Sequence, residues 1–212
     1  MKAVIITLYQ ANYSRLADVV LPNWREYAAR HGYDVVAGPE GPGRDVLSLG
    51  FRKAALTREI LFETANNWDA ALVMDLDVLV TNLTVPLTDF VDSDHHYFVT
   101  TGFNGLCNGT HIIRKTPEGK EIIDAIIANR GGYSNEQDVI KGSLDRAPFA
   151  GRIKFSPYTS FGSFRLDLYP EHAPATREKG QWQQGDFLLH LAAKPLDERI
   201  RIFSEMQEAI VR

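Results

Sequence analysis

The chain has 212 residues, a formal net charge of -4, 44% hydrophobic and 24% charged residues, which excludes a disordered or fibrous protein and predicts one domain, 1–212, with its own core. With 27 acids against 23 Lys plus Arg and a pI near 5.9, nothing provides a basic footprint for nucleic acid, so any anionic ligand must be met locally. The single cysteine, Cys107, excludes an internal disulfide framework and a thiolate zinc cluster, and no run approaches the roughly 20 apolar residues of a membrane span, so a cytoplasmic protein without an integral membrane segment is expected.

The opening MKAVIITLYQ is too short for a signal h-region and reads as a first buried strand, Ala3 to Leu8, with functional residues expected just past its carboxyl end. From Ser14, read as an N-cap, to His31 the residues Leu16, Val19, Val20, Trp24, Tyr27 and Ala28 recur at helical spacing. Gly32 stops this helix, and Pro22 is expected to kink or split it. Tyr33 to Val36 reads as a second strand and Ala37 to Gly50 as a loop dense in Gly and Pro. A helix over Phe51 to Asn67 leads through Trp68 to the apolar strand Ala70 to Met74, which ends abruptly in acids. Val78 to Val80 continues apolar, Tyr97 to Thr100 reads as a strand, and Ile112 to Ile113 as part of another, so the sheet is expected to be mixed. Thr116-Pro117-Glu118 is a helix start, because Pro fits the first helical position and Thr can accept a free N–H; that helix runs to about Arg130 before Gly131 and Gly132. A short helix over Glu136 to Lys141, an aromatic and turn-rich stretch over Ile153 to Tyr169 and a polar loop over Pro170 to Gln184 follow. Asp186 to Leu191 then reads as a late strand and Leu196 to Val211 as a closing amphipathic helix, with no internal repeat.

The segment AALVMDLDVLV places Asp75 and Asp77 at the end of a buried strand, where alternation sends both side chains to the same side. Two like carboxylates there call for a cation, and Mg²⁺ or Mn²⁺ would take their oxygens while leaving positions for a diphosphate. The competing reading of this pair is a solvated turn with an N-cap. A second Asp-x-Asp, Asp92 and Asp94, lacks the apolar strand before it and reads as a polar loop. In GDFLLHLA, His190 lies on an apolar strand, the usual setting of a core histidine; joined to the acidic pair, its imidazole would complete a site suited to Mn²⁺. His31, His95, His96, His111 and His172 read as structural or loop residues.

Lys53 and Arg58 on a helix, LVMDLDVLV, CNGTHIIRKT, the pair Glu136-Gln137, and GDFLLHLA occur in an order that resembles GT-A glycosyltransferases. The sequence looks most like the galactosyl- and mannosyltransferases grouped with xyloglucan xylosyltransferases, and more distantly like the glycogenin and bacterial lipopolysaccharide galactosyltransferases. The resemblance implies an α/β, Rossmann-like nucleotide-diphospho-sugar transferase fold with a mixed, mostly parallel central sheet flanked by helices. It implies that Asp75, Asp77 and His190 hold Mn²⁺, with Mg²⁺ as the alternative, and that Lys53 and Arg58 contact the donor. Asn108 would touch donor sugar or acceptor, Gln137 would lie near the anomeric carbon with Glu136 on donor hydroxyls, and Thr7 and Tyr9 near the nucleoside. The chain departs from the pattern where Ala192-Ala193 replaces an expected glycine; Lys194 follows and could meet the diphosphate.

The function implied is transfer of a hexose or pentose from a nucleotide sugar, a UDP-sugar before GDP-mannose, to a carbohydrate or glycoconjugate acceptor with retention. Metal and basic residues would stabilise the charge on the departing diphosphate. Because an amide is a poor nucleophile, same-face attack is the expected route. Two alternatives are a haloacid-dehalogenase-type phosphatase, whose Asp-x-Asp begins with a nucleophile, and a non-catalytic nucleotide- or sugar-binding module. The phosphatase would need a paired acid motif that the downstream sequence lacks.

Overall fold

Ala3 to Ile6 are wholly buried, and this run becomes β1 (Ala3–Tyr9) of a computed structural model that describes residues 1–39, 49–102 and 104–212. The expected loop Ala37 to Gly50 lies, over residues 40–48, outside the described residues. In order, the elements are β1, α1 (Ser14–His31), β2 (Asp34–Pro39), α2 (Leu49–Arg58), β3 (Ala70–Met74), β4 (Val78–Val80), β5 (Tyr97–Gly102) and β6 (Gly105–Arg114). They continue with α3 (Pro117–Ala128), α4 (Glu136–Lys141), β7 (Ile153–Pro157), α5 (Tyr158–Phe161), β8 (Ser163–Phe164), β9 (Leu188–His190) and α6 (Leu196–Glu205).

A six-stranded sheet has the order β2-β1-β3-β6-β5-β7, in which β6 alone runs antiparallel to its neighbours. Alternation divides each central strand between two cores. Ile5, Leu72 and Met74 join Leu16, Val20, Trp24 and Phe203 on the α1 and α6 side; Val4, Ile6, Val73 and Ile113 join Phe51, Leu61, Ile122 and Val139 on the α2, α3 and α4 side. A second sheet, β4-β9-β8, pairs Val78 antiparallel with His190 and Phe164 parallel with His190.

The free edge of β4 is closed by α1. Asn23 donates Nδ2 to the Val80 carbonyl (2.9 Å) and accepts the Val80 N–H (3.0 Å), and Trp24 Nε1 donates to the Val78 carbonyl (3.1 Å). Two buried side chains thus replace a missing strand, and buried backbone groups of this kind demand such partners.

Several boundaries differ from the sequence reading. Ser14 is the first helical residue rather than the N-cap, because a 3-10 turn over Ala11–Tyr13 precedes it and its hydroxyl donates to the Ala11 carbonyl (2.7 Å). Pro22 does not split α1: its ring faces solvent, and Asp18, whose carbonyl loses a partner, is also exposed. The second helix ends early, passing through a π turn over Glu59–Glu63, where Asn66 Nδ2 donates to the Ile60 carbonyl (2.8 Å). Ile153–Pro157, expected as turn-rich, is an edge strand, while Asp186 stays outside the late strand because Arg177 and Ser163 hold its carboxylate. The last helix is α6 followed by a 3-10 turn over Met206–Ala209. Asp92 and Asp94 lie in a loop, as read: Asp92 accepts the N–H groups of Asp94 and His95 and pairs with Lys154. Thr116 caps α3 by accepting the Gly119 N–H.

Candidate functional site

The end of β3 is pinned on both sides. The N–H of Asp75 donates to the Gly109 carbonyl of β6 (2.7 Å), and the carbonyl of Asp77 accepts the N–H of Leu191, the residue after β9 (2.9 Å). These two backbone bonds bring Asp75, Asp77 and His190 together, with one potential ligand atom from each within 4.8 Å of the others.

The four carboxylate oxygens divide their work. Asp75 Oδ1 is bound by the ammonium of Lys53, which α2 presents from a buried position. Asp77 Oδ2 meets Arg199 Nη2 of α6 at 3.1 Å. The other oxygen of Asp77 lies 3.3 Å from His190 Nε2 yet, among the described residues, has no hydrogen bond of acceptable geometry. A space beside this group is kept open by Gly109, where a Cβ would fall 2.6 Å from His190 Cε1 and 3.0 Å from Asp75 Oδ2. An unsatisfied buried carboxylate oxygen, a second carboxylate, an imidazole nitrogen and a gap left by a missing side chain fit a divalent cation.

The carboxylates draw positive charge to this cluster, and a cation at His190 Nε2 would take the place of the ring proton that they favour. Burial opposes charge on Lys53, but Asp75, helped by Glu136, outweighs it and holds the ammonium above its ordinary pKa. Burial would raise Asp77, yet His190 and Arg199 bring its pKa below the usual carboxylate range. For His190 burial disfavours the cation and the Asp77 carboxylate reverses that, lifting its pKa well above that of a free imidazole. The other ring nitrogen, Nδ1, is 3.7 Å from Cys107 Sγ, and the ring stacks on Phe164 with centroids 5.1 Å apart.

Next to this cluster the first turn of α4 meets β6. Asn108 donates its N–H to Gln137 Oε1 (3.0 Å) and its side-chain amide to Glu136 Oε1 (3.4 Å), and its own Oδ1 accepts from Tyr97 (2.6 Å). Glu136 and Gln137, though adjacent, face different spaces. Glu136 lines a cavity of about 430 Å³ with Tyr9, Tyr13, Asp75, Asp77 and Arg199, whereas Gln137 lines one of about 250 Å³ with Cys107, Tyr158, Phe164, Tyr169 and His172.

Other expected residues are placed differently. Thr7 is fully buried at the end of β1, and Tyr9 rather than Thr7 lines the larger cavity. Arg58 is turned toward Asp124 of α3 and Glu63 and does not join the cluster. Lys194 donates to the Leu168 carbonyl (2.6 Å), lies over the Tyr169 ring and pairs with Glu198 (3.4 Å). Arg199 was not foreseen; in the sequence it is one basic residue on an amphipathic helix, and only the return of α6 across α1 brings it to Asp77.

No family model matches the sequence, and comparison with curated proteins gives no match. Solved structures do match. A glycosyltransferase involved in glycosylation of the major capsid of PBCV-1 superposes with a TM-score of 0.73 at 18% identity, covering 96% of this chain and 100% of that one. The galactosyltransferase LgtC, solved with donor and acceptor sugar analogs, gives 0.59 at 13% identity, covering 100% and 97%. GlyE of Streptococcus pneumoniae TIGR4 gives 0.57 at 13% identity, covering all of this chain and 65% of that one. The chain has the GT-A fold. Within that fold Asp75 and Asp77 follow the third strand of the sheet and His190 comes from the smaller one. A haloacid-dehalogenase fold is thereby set aside. No helix among the described residues is long and apolar enough to cross a membrane.

Proposed function

We propose that this protein is a metal-dependent glycosyltransferase that moves a hexose or pentose from a nucleotide sugar, a UDP-sugar before GDP-mannose, to a carbohydrate or glycoconjugate acceptor with retention. The observation that carries this reading is the Asp75, Asp77 and His190 cluster of a GT-A fold, whose two aspartates line the larger of the two cavities. The solved LgtC complex holds donor and acceptor sugar analogs, which supports a donor and an acceptor sugar as the ligands here.

Asp75 Oδ2, Asp77 Oδ1 and His190 Nε2 would hold the cation, with Mn²⁺ favoured by the mixed oxygen and nitrogen donors and Mg²⁺ as the alternative. When bound, it supplies positive charge against the diphosphate as that group departs. The nucleoside would lie against Tyr9 and Tyr13 in the larger cavity, and the acceptor ring in the smaller one, whose faces of Tyr158, Phe164 and Tyr169 suit the apolar side of a sugar. Glu136 would take donor hydroxyls. The anomeric carbon would then lie across the first turn of α4, beside Gln137. Because Gln137 Oε1 already accepts the Asn108 N–H, its oxygen is poorly disposed to attack. This favours same-face substitution: the bond from anomeric carbon to diphosphate oxygen breaks, the acceptor oxygen bonds to that carbon, and its proton passes to the leaving oxygen.

Calorimetric titration of UDP and of GDP, each with Mn²⁺ and with a chelator, tests the proposal. Metal-dependent binding of one nucleotide supports it and assigns the donor class, and absence of binding by both in folded protein overturns it. Binding without turnover of any nucleotide sugar would favour a non-catalytic module.

A further inference from the structure

Arg199 of α6 is held against the acidic pair by two contacts. Its Nε donates to the Leu191 carbonyl (3.1 Å), while the Leu191 N–H donates to the Asp77 carbonyl (2.9 Å), so one residue's backbone ties the guanidinium to the acid it faces. Its Nη2 holds Asp77 Oδ2, the oxygen not turned to His190. The side chain is only 12% exposed, its Cζ lies 5.9 Å from the Tyr13 ring centroid, and it lines the larger cavity. The neighbouring cation, Lys194, is directed to Leu168, Tyr169 and Glu198 instead.

Lys53 does for Asp75 what Arg199 does for Asp77. The two carboxylates therefore meet the cations Lys53 and Arg199 before any ligand arrives, with the His190 imidazole also against Asp77, and Glu136 is a further acid near Lys53. A divalent cation entering this group gains less from the two carboxylates than an unpaired pair would give it, because each is already neutralised at close range. A diphosphate supplies the missing negative charge and offers oxygens that a guanidinium binds well. We propose that Arg199 is a positioning residue that makes cation uptake conditional on a nucleoside diphosphate: it orients Asp77 toward the cation and suppresses binding of that cation alone. The inference rests on the glycosyltransferase reading for the identity of the diphosphate.

Linkage makes this measurable, since UDP must strengthen Mn²⁺ binding by the same factor by which Mn²⁺ strengthens UDP binding. The experiment is a titration of Mn²⁺, followed by the electron paramagnetic resonance signal of the free ion, into wild type, R199M and R199K, with and without UDP. Wild type is expected to bind Mn²⁺ at least about ten-fold more tightly with UDP, R199M to bind Mn²⁺ alone about ten-fold more tightly than wild type with most of the coupling gone, and R199K to restore wild-type behaviour. R199Q, whose amide can still reach the Leu191 carbonyl, serves if R199M does not fold. Unchanged or weaker Mn²⁺ binding by the folded neutral variant, with coupling intact in wild type, overturns this inference and leaves Arg199 a structural clamp. Absence of Mn²⁺ and UDP binding in wild type overturns the proposed function and this inference together.

Discussion

Gly109 and His190 stand so close that a Cβ on the glycine would lie 2.6 Å from the imidazole Cε1. The glycine is on β6, where its conformation is open to other residues, so the requirement comes from space and not from the backbone. Gly109→Ala is expected to displace His190 or Asp75, cost about 1–3 kcal/mol of stability, and reduce Mn²⁺ affinity by at least about ten-fold. Denaturant unfolding and a metal titration on the same preparation check both effects; full Mn²⁺ affinity in the variant would remove Gly109 from the site.

Asp77→Asn replaces a charged ligand by a neutral isostere that Arg199 and His190 no longer attract. Metal-dependent UDP binding should be abolished while the fold persists. The check is calorimetry beside a circular dichroism melt, and unchanged binding by a folded variant would sink the metal assignment.

Acid sensitivity should trace to His111. Burial drives this imidazole down to about 3, with the Lys53 charge pushing the same way and the Asn108 carbonyl opposing them. The native state thus keeps His111 neutral, whereas in the unfolded chain it takes a proton below about pH 6.5. Stability is fully present above that pH and falls, as pH drops from 6.5 toward 3, by about 1.4 kcal/mol per unit. Unfolding free energies from urea titrations at pH 7 and pH 5 should differ by about 2 kcal/mol more in wild type than in His111→Phe, which keeps a ring against Tyr97. Equal pH dependence in the two proteins would contradict this.

Asn23→Ala removes both partners of the Val80 backbone from the covered edge of β4. The expected loss is about 2–4 kcal/mol, since a buried donor and a buried acceptor are left unpaired. A loss below 1 kcal/mol by chemical denaturation would mean that water or α1 itself replaces them.

Gln137→Ala should lower the turnover of the transferase by about 10²-fold while leaving UDP affinity within two-fold, because Gln137 faces the smaller cavity and not the larger. Parallel loss of UDP binding would place Gln137 on the nucleotide instead. The split between turnover and affinity is read by steady-state kinetics and calorimetry.

The acidic pair was legible because Ala70–Met74 is an unbroken buried run, and its abrupt end in Asp75 marks the carboxyl end of a central strand. Edge strands carry no such signal. Ile153–Pro157 leaves Phe155 exposed and Lys154 half-buried, so it lacks a buried apolar run, although its backbone pairs with β5 along its whole length. Family resemblance pointed Lys53 at the donor, but its burial against Asp75 was not legible, since a lysine on a helix is ordinarily solvated. Arg199 was invisible for a different reason: its meaning depends on α6 packing beside α1, a relation that no local pattern encodes. Arg58 and Lys194 were expected to meet the donor and its diphosphate, and their partners in the structure, Asp124 and the Leu168 carbonyl, are set by tertiary packing.

The antiparallel register that sets Val78 opposite His190 has a consequence for how the protein matures. Strand side chains alternate with period two, so a slip of one residue would offer a leucine in place of the imidazole. β4 and β9 lie far apart in the chain, and long-range pairings of this kind form late because loop closure must come first. Cation capture therefore reports the register of the small sheet: a chain in which β4 and β9 are unpaired, or slipped by one residue, lacks the third donor.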